Sequence, residues 1–377
     1  MSAGIGFDDL SGELAKVFSE GVDGTLTDAA FNALALRCFA YQFDNNPVYA
    51  DFARTRGTLP KDSWRQIPAV PASGFKAVRL VSGEQENVER VFRTSGTTSG
   101  VERGAHHVLD LGLYRESLLP NFMAHLVPDG IDLRLVSLIP SPIDVLDSSL
   151  SYMIGCVADH LTSGRTGFYV DASGRIDHVA LRETLTRSEK AEEPVLIVGT
   201  AFALVHWMDA MDESAWTFAL PEGSRIMETG GFKGRSRTLS REDLYACLAE
   251  RHGVPIGMIV NEYGMTELLS QFYEPVIRDA SDPGLSERRH VPPPWVRTQV
   301  LDPVTLNPVS LGSPGLLCHL DLANLGSVCA VLTEDMGVAV ADGFRVLGRS
   351  QEAEPRGCSL AMDQLMSSSY LEQQGRP

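Results

Sequence analysis

Residues 94–100, Thr-Ser-Gly-Thr-Thr-Ser-Gly, consist only of hydroxyl side chains and glycines, and they follow the apolar pair Val91-Phe92. Hydroxyl groups and glycine N–H groups can wrap a polyphosphate, because glycine lets the backbone approach an anion closely. The segment does not end in Gly-Lys-Ser/Thr, so it is not the common phosphate loop of nucleotide hydrolases. The same composition is typical of a flexible surface loop. These seven residues alone do not decide between the two interpretations.

A second segment, residues 261–267 (Asn-Glu-Tyr-Gly-Met-Thr-Glu), follows the apolar run 256–260 and favours a nucleotide site. The Glu267 carboxylate and the Thr266 hydroxyl are hard oxygen donors of the kind that Mg²⁺ takes when it also binds phosphate and water. The Tyr263 ring could lie against a purine, although a lone tyrosine is more often packed in a core. Glu267 could also be a helix N-terminal acid or a surface charge.

Composition limits the classes of ligand. The chain has 377 residues, 44% of them apolar, and a net charge of −17. This charge argues against a nucleic-acid partner and against an anionic membrane, because both require clustered Lys and Arg. It does not exclude a nucleotide, which backbone amides and Mg²⁺ can hold inside an acidic protein.

Six widely spaced cysteines without a CxxC pair indicate reduced thiols and argue against zinc. The first ten residues show no signal-peptide pattern, so a cytoplasmic location is expected.

Periodicity predicts the elements that position these segments. Between about residues 88 and 260, short apolar runs alternate with helical stretches, which predicts an α/β unit with a mainly parallel sheet. The runs expected to be strands are 133–139, 195–198 and 255–260, and the stretches expected to be helices are 109–127 and 240–252. Beyond the three prolines at 292–294, short strands predict a smaller β-rich subdomain at 296–301, 315–320, 328–332 and 344–347. Helices are also expected at 27–43 and 360–371.

We therefore predict four parts of the chain. They are an N-terminal helical lead-in at 1–87, an α/β nucleotide- and acid-binding core at 88–290, a β-rich subdomain at 291–358 and a C-terminal helix at 359–377.

The two polar segments together resemble the acyl-adenylate-forming superfamily, which includes acyl-CoA synthetases, adenylation domains of peptide synthetases and beetle luciferase. Its phosphate loop reads roughly Thr-Ser-Gly-Thr-Thr-Gly-x-Pro-Lys-Gly, which residues 94–98 match, and its downstream Tyr-Gly-x-Thr-Glu is matched in full by residues 263–267. Further resemblances follow in the same order, at 228–232, 333–335, 348–349 and 356–357.

The sequence looks most like the acyl-protein synthetase (LuxE-like) branch of that superfamily. This branch supplies fatty acyl groups to the reductase of bacterial bioluminescence. The runs that carry the resemblance cover most of the chain and are 46–49, 140–142, 148–150, 332–337, 344–349 and 354–360.

The resemblance implies the superfamily's N-terminal-domain fold, α/β with parallel sheets flanked by helices plus the β-rich subdomain, and the mobile C-terminal domain is expected to be absent. It implies ATP and Mg²⁺ as cofactors, a fatty or aromatic carboxylic acid as substrate, and an acyl-accepting protein or carrier as partner. Glu267 would bind the metal and Thr266 would touch the α-phosphate. The residues implied for cofactor binding are Thr94, Ser95, Gly96, Thr97, Thr98, Arg103, Gly230, Gly231, Phe232, Tyr263 and Asp335, and those implied for catalysis are Thr266, Glu267, Arg349 and Cys358.

Cys358 stands where members of the branch carry the cysteine that accepts the acyl group. Arg356 lies two residues before it, and a helix is predicted to begin just after it; both features favour a thiolate. A free cysteine is more often a small buried hydrophobe. That is our interpretation of the other five cysteines.

The sequence departs from the superfamily pattern at several positions. Ser99 is an extra residue, and Arg103 stands where the superfamily has a lysine. A planar guanidinium group, which can donate two parallel hydrogen bonds, thus replaces a compact ammonium group. The catalytic lysine of the usual C-terminal domain is expected to be missing. His106 and His107 could approach phosphate, but a histidine pair without an acid is more typical of structure. His206 is expected to be a core histidine.

Three functions remain open at this point. The first is ATP-dependent activation of a carboxylic acid as acyl-adenylate, with transfer through Cys358 to a partner protein. The second keeps the activation but passes the acyl group to a small amine, CoA or a carrier protein. The third is a non-catalytic nucleotide- or acyl-binding relative.

Overall fold

The computed structural model describes residues 6–57, 59–94, 103–161, 165–230, 239–349 and 356–373. The helices of these residues are α1 (Phe7–Ser19), α2 (Asp28–Asn45), α3 (Pro47–Thr55), α4 (Gly74–Ala77), α5 (Leu111–Leu126), α6 (Ser149–Leu161), α7 (His178–Lys190), α8 (Ala201–Ser214), α9 (Arg241–His252) and α10 (Arg356–Gln373). The strands are β1 (Val70–Pro71), β2 (Arg90–Arg93), β3 (Ala105–Val108), β4 (Arg134–Leu138), β5 (Thr166–Phe168), β6 (Val195–Thr200), β7 (Arg225–Thr229), β8 (Ile259–Tyr263), β9 (Phe272–Tyr273), β10 (Val296–Leu301), β11 (Pro314–Asp321), β12 (Ala330–Val340) and β13 (Gly343–Arg349).

The chain divides into two compact units. Unit 1 comprises Met1–Pro120, Met265–Gln271 and Val291–Pro377, and unit 2 comprises Asn121–Gly264 and Phe272–His290. The polar segment 261–267 is therefore shared, since Tyr263 belongs to unit 2 and Glu267 to unit 1. These units divide the chain at other places than the four parts predicted from the sequence, whose boundaries stay a prediction.

Unit 2 contains the parallel sheet that the alternating pattern predicted. Its strand order is β5-β4-β6-β7-β8-β9, and β9 alone runs antiparallel to its neighbour β8. Strand β7 is buried along its whole length and β6 along all but its last residue, as expected for a parallel sheet covered on both faces. Helices α8 and α9 begin at polar caps, because Thr200 Oγ1 accepts from Ala203 N at 3.2 Å and Ser240 Oγ accepts from Asp243 N at 3.0 Å.

Unit 1 contains the β-rich sheet predicted beyond residue 292. Strands β10, β11 and β12 are antiparallel neighbours, β13 pairs with β12, and β1 adds a parallel pair at Val331 and Leu332. Strand β1 was not predicted, because Pro68 and Pro71 interrupt the local pattern and only its distant partner makes it a strand. A proline is tolerated there because β1 lies at the edge of the sheet.

A separate antiparallel hairpin contains the start of the hydroxyl-rich segment, which we define as residues 94–100. Strand β2 pairs with β3 from Arg90–Val108 to Arg93–Ala105, and among the described residues these two strands pair only with each other. Residues 95–102 lie in the chain between them and outside the described residues. A strand therefore precedes the segment, but it belongs to this hairpin and not to the parallel sheet.

Burial confirms one prediction about the remaining side chains and corrects another. Cys38, Cys156, Cys318 and Cys329 are buried, as predicted, whereas Cys247 is only partly buried. His206 is exposed, so the prediction of a core histidine was wrong. Its neighbours Val205 and Trp207 take the buried face of α8, which turns His206 outward. No helix in the described ranges is long and apolar enough to cross a membrane.

Candidate active site

Residues 265–271 of unit 1, which include Thr266 and Glu267, are held by buried side chains that are distant in the sequence. His106 Nδ1 lies 2.7 Å from the Thr266 carbonyl oxygen, and Asn324 Nδ2 donates to the Glu267 carbonyl oxygen at 2.9 Å. A carbonyl oxygen can only accept, so His106 carries its proton on Nδ1. The consecutive carbonyl groups of Thr266 and Glu267 are thus both fixed by buried side chains.

Asp321 fixes the next turn of the same segment. Its carboxylate accepts from Leu269 N at 3.0 Å, from Ser270 N at 2.8 Å and from Ser270 Oγ at 2.7 Å. Trp295 Nε1 donates to Ser270 Oγ at 3.1 Å. Burial raises the pKa of Asp321, and these donors oppose the shift because they favour the ionised form. The segment therefore rests on a buried hydrogen-bond network, which gives Thr266 and Glu267 a rigid support.

Glu267 is a buried carboxyl group beside cations. Burial raises its pKa to about 7, while the charges of Lys76 and Arg349 act to lower it and the charge of Glu334 acts to raise it further. Within the described ranges, no three or more His, Cys, Asp or Glu side chains are grouped so that they could hold a metal ion. A single carboxylate of this kind fits Mg²⁺, which takes one or two protein oxygens and fills its shell with phosphate and water.

Asp335, in the middle of β12, is the register partner of Arg349, the last residue of β13. Arg349 Nε lies 3.9 Å from Asp335 Oδ1, and Arg349 Nη1 lies 3.9 Å from Glu334 Oε2. The Arg349 side chain is largely exposed, so these ion pairs are weak and leave the guanidinium able to bind another anion. The pairing brings two predicted site residues together, and the charge of Arg349 reaches a third, Glu267.

The base of the hydroxyl-rich segment is braced by Arg103. Its Nε donates to the Thr94 carbonyl oxygen at 2.7 Å and its Nη2 to the Arg93 carbonyl oxygen at 3.1 Å. Gly104 N donates to Thr94 Oγ1 at 2.9 Å. Arg103 and Thr94 therefore shape the hairpin, and phosphate binding by them stays a prediction. Ser95, Gly96, Thr97 and Thr98 lie outside the described residues.

In unit 2, the ends of β7 and β8 carry the residues predicted to surround adenine. Tyr263 is half-buried, with its ring centroid 5.8 Å from that of Phe272 and 5.9 Å from that of His290. Gly230 adopts φ 71°, a left-handed conformation that glycine takes readily. Gly231 and Phe232 lie outside the described residues. Packing on two rings positions Tyr263, and adenine binding by it stays a prediction.

Two glutamates of β7 and β8, Glu228 and Glu262, are buried, which was not predicted from the sequence. Thr229 Oγ1 donates to Glu262 Oε2, and Asn261 Nδ2 donates to Glu228 Oε2. Burial raises the pKa of Glu262 to about 7 and that of Glu228 to about 8. The sequence did contain a signal for this burial. Each glutamate stands near the end of an apolar strand, where a charged group is costly unless it has a hydrogen-bond partner.

Cys358 is the third residue of α10, so the helix begins at Arg356 and not after the cysteine as predicted. Gly357 N donates to the Pro303 carbonyl oxygen at 2.9 Å, which fixes the first turn of α10. The side chains of Arg356 and Cys358 lie outside the described atoms. The acceptor role of Cys358 stays a prediction.

The acyl-protein synthetase (LuxE) family model matches residues 26–367 of this chain. The chain is 25% identical over 338 residues to a long-chain-fatty-acid–luciferin-component ligase of Vibrio harveyi, covering 86% of this chain and 85% of that protein. It is also 25% identical over 345 residues to the ligase of the same name from Aliivibrio fischeri, covering 87% of this chain and 86% of that protein.

Solved structures with a similar fold are adenylate-forming ligases. An open conformation of 2-hydroxyisobutyryl-CoA ligase, in complex with 2-HIB-AMP and CoA, superposes with a TM-score of 0.61 at 14% identity, covering 85% of this chain and 69% of that one. ATP-bound MatB from Rhodopseudomonas palustris gives a TM-score of 0.50 at 13% identity, covering 71% of this chain and 49% of that one. These likenesses confirm the predicted fold. The family model spans most of the chain and agrees with both ligases, and we conclude that the chain belongs to the LuxE family of acyl-protein synthetases.

Proposed function

We propose that this synthetase uses ATP to activate a long-chain fatty acid as acyl-adenylate, and passes the acyl group through Cys358 to a partner protein. The observation that carries the proposal is the Thr266-Glu267 pair, a buried carboxyl group on a clamped backbone beside Lys76 and Arg349. The fatty acid and the acceptor protein are inferred from the names of the two bacterial relatives.

In the first step, a carboxylate oxygen of the fatty acid attacks the α-phosphorus of ATP. A bond forms between that oxygen and phosphorus, the bond to the β-phosphate oxygen breaks, and pyrophosphate leaves with the electron pair. Such a reaction depends mostly on positioning and charge neutralisation. Mg²⁺ bound by Glu267 and the phosphates would supply part of that neutralisation.

The other site residues have separate tasks in this step. Residues 94–98 and Arg103 hold the leaving phosphates, Thr266 contacts the α-phosphate and Asp335 binds the ribose. Tyr263 and residues 230–232 flank the adenine, and Arg349 faces the phosphates from the end of β13.

In the second step, the Cys358 thiolate attacks the acyl carbonyl carbon, and AMP leaves as a thioester forms. A nucleophile of the partner protein then attacks the thioester and releases the thiol. The first turn of a helix favours the thiolate, because its unpaired N–H groups place partial positive charge there. The anchored first turn of α10 gives Cys358 this setting.

The two steps are tested separately. Exchange of radiolabelled pyrophosphate into ATP, with fatty acids of graded chain length and with aromatic acids, reports the first step. Trapping of labelled acid on the denatured protein reports the second. We expect Cys358→Ala to retain exchange and lose the label, whereas Cys247→Ala, which changes a partly buried cysteine, keeps both.

Absence of exchange with every acid would refute the activation step. Label retained on Cys358→Ala would remove this cysteine from the mechanism. Product formed by that variant with an amine or CoA would favour a direct acceptor.

A further inference from the structure

Lys76 lies at the base of the hydroxyl-rich segment, although it belongs to the short helix α4. A Cβ atom placed on Gly104 would lie 2.9 Å from Thr94 Cγ2 and 3.3 Å from Lys76 Cγ. The aliphatic part of the lysine therefore packs where residues 94 and 104 meet. The residue is exposed, so its ammonium group is accessible to a ligand.

Neighbouring residues fix the helix that carries this lysine. Phe75 is buried and its ring meets the ring of His106 edge-on at 5.5 Å. His106 in turn holds the Thr266 carbonyl group. On the other side, Gly74 is buried against Leu365 of α10. The backbone at Lys76 is thus tied to the segment that ends in Glu267.

Lys76 also differs from Arg103 and Arg349 in having no protein group within hydrogen-bond or ion-pair distance of its ammonium group, among the residues described. Arg103 donates to two backbone carbonyl groups, and Arg349 faces Glu334 and Asp335. The charge of Lys76 nevertheless reaches Glu267, whose pKa it lowers against the effect of burial.

We propose that Lys76 is a catalytic residue of acid activation, and that its ammonium group binds the phosphate oxygens of ATP next to Glu267. This role rests on the function proposed above. During the step, one negative charge moves from the attacking carboxylate to the departing pyrophosphate. Lys76 stays protonated throughout, so no proton transfer is needed. A fixed cation aimed at the developing charge stabilises the transition state more than the bound substrates.

Charge-removing and charge-retaining variants test this role. We expect Lys76→Met to lower the rate constant of pyrophosphate exchange roughly 10²–10³-fold, with a measurable but smaller rise in KM for ATP. Lys76→Arg keeps the charge and should retain more activity than Lys76→Met. Lys61→Met removes another exposed lysine of unit 1 and should behave like the wild type. Since Lys76 is exposed, the melting temperature should not change.

Chemical rescue by an added amine distinguishes a catalytic ammonium group from a residue that acts only on the structure. Added propylamine should restore part of the exchange activity of Lys76→Ala and should not affect Lys61→Ala. Exchange by Lys76→Met equal to that by Lys61→Met, or an absence of rescue, would overturn the assignment.

A wild-type protein that exchanges with no acid would instead refute the proposed function. Calorimetry with Mg-ATP would then decide the role of Lys76. Weaker binding by Lys76→Met than by Lys61→Met would support the phosphate contact, and equal affinities would overturn it.

Discussion

His106 Nδ1 lies 2.7 Å from the carbonyl oxygen of Thr266. This hydrogen bond joins β3, the strand that follows the hydroxyl-rich segment, to the residue that precedes Glu267. Asn324 holds the next carbonyl group in the same way, at 2.9 Å. The two predicted parts of the phosphate site within unit 1 are therefore connected through a buried imidazole, and not only by their place in the sequence.

Removing the imidazole should disturb the metal site as well as the fold. His106→Leu leaves a buried carbonyl group without its donor, which should cost about 1–3 kcal/mol of unfolding free energy. His106→Asn keeps a donor near the Nδ1 position and should cost less. Urea unfolding measures the stability, and the Mg²⁺ concentration for half-maximal exchange should rise in His106→Leu.

His252→Leu is the matched control for this experiment. His252 is also fully buried, and its Nδ1 lies 3.0 Å from the Leu248 carbonyl oxygen in unit 2. This variant should lose stability without raising the Mg²⁺ requirement. Equal shifts in the Mg²⁺ requirement of the two variants would show that His106 acts only on stability.

The raised pKa of Glu267 makes Mg²⁺ binding dependent on pH near neutrality. In the free protein the pKa is about 7, and only the ionised carboxylate binds the metal. Below pH 7, the half-saturating Mg²⁺ concentration should rise about tenfold for each unit of pH, and above pH 8 it should be constant. Exchange assays between pH 5.5 and 8.5 measure this, and a flat profile would exclude Glu267 as the ligand.

The fold was predictable where a local pattern reflects local burial. Strand β6 is apolar because both faces of the parallel sheet are covered, and the helix at 240–252 was recognisable from its Ser240 cap. Strand β1 was not predictable, because two residues become a strand only by pairing with β12. The phase of α8 was not predictable either, since an apolar helix does not reveal which residue faces outward.

The candidate site was predictable in its residues but not in what supports them. The order of the motifs identified Thr266, Glu267 and Asp335, whereas Asp321 and Asn324 occur in an apolar part of the sequence that carries no motif. Lys76 was missed for a related reason. Its place beside Gly104 depends on contacts between distant parts of unit 1, which no spacing encodes.

Asp335 should contribute to ATP binding through a charged hydrogen bond to the ribose. Such bonds contribute about 1.5–3 kcal/mol, so Asp335→Asn should weaken ATP binding roughly ten- to hundredfold. Glu334→Gln is the matched control, because Glu334 and Asp335 each lie 3.9 Å from Arg349. Calorimetry with ATP measures both, and equal losses would assign the effect to Arg349 rather than to a ribose contact.

Glu262 should make unit 2 less stable as the pH rises. Its pKa is about 7 in the folded protein against 4.5 as a model value, so the folded state holds the proton more tightly. Its stabilising contribution is complete below pH 4.5 and is lost as the pH rises through about 7, by up to about 3 kcal/mol. Glu262→Gln cannot ionise and should gain this amount relative to the wild type between pH 4.5 and pH 8.

Urea unfolding at these two pH values measures that gain. Glu222→Gln, at an exposed position of unit 2, controls for the loss of one negative charge. A difference between Glu262→Gln and the wild type that stays constant with pH would show that Glu262 is ionised in the folded protein.

Leu365 should separate acyl transfer from acid activation. It is fully buried on α10, and a Cβ atom on Gly74 would lie 2.5 Å from its Cδ2. Leu365→Ala should cost about 2–5 kcal/mol if the site does not collapse. We expect the loosened helix to lower the rate at which Cys358 is labelled, while pyrophosphate exchange persists. Leu360→Ala changes an exposed leucine of the same helix and should affect neither reaction. Equal losses of labelling and exchange in Leu365→Ala would mean that α10 supports activation itself, because α4 and Lys76 would then depend on its packing.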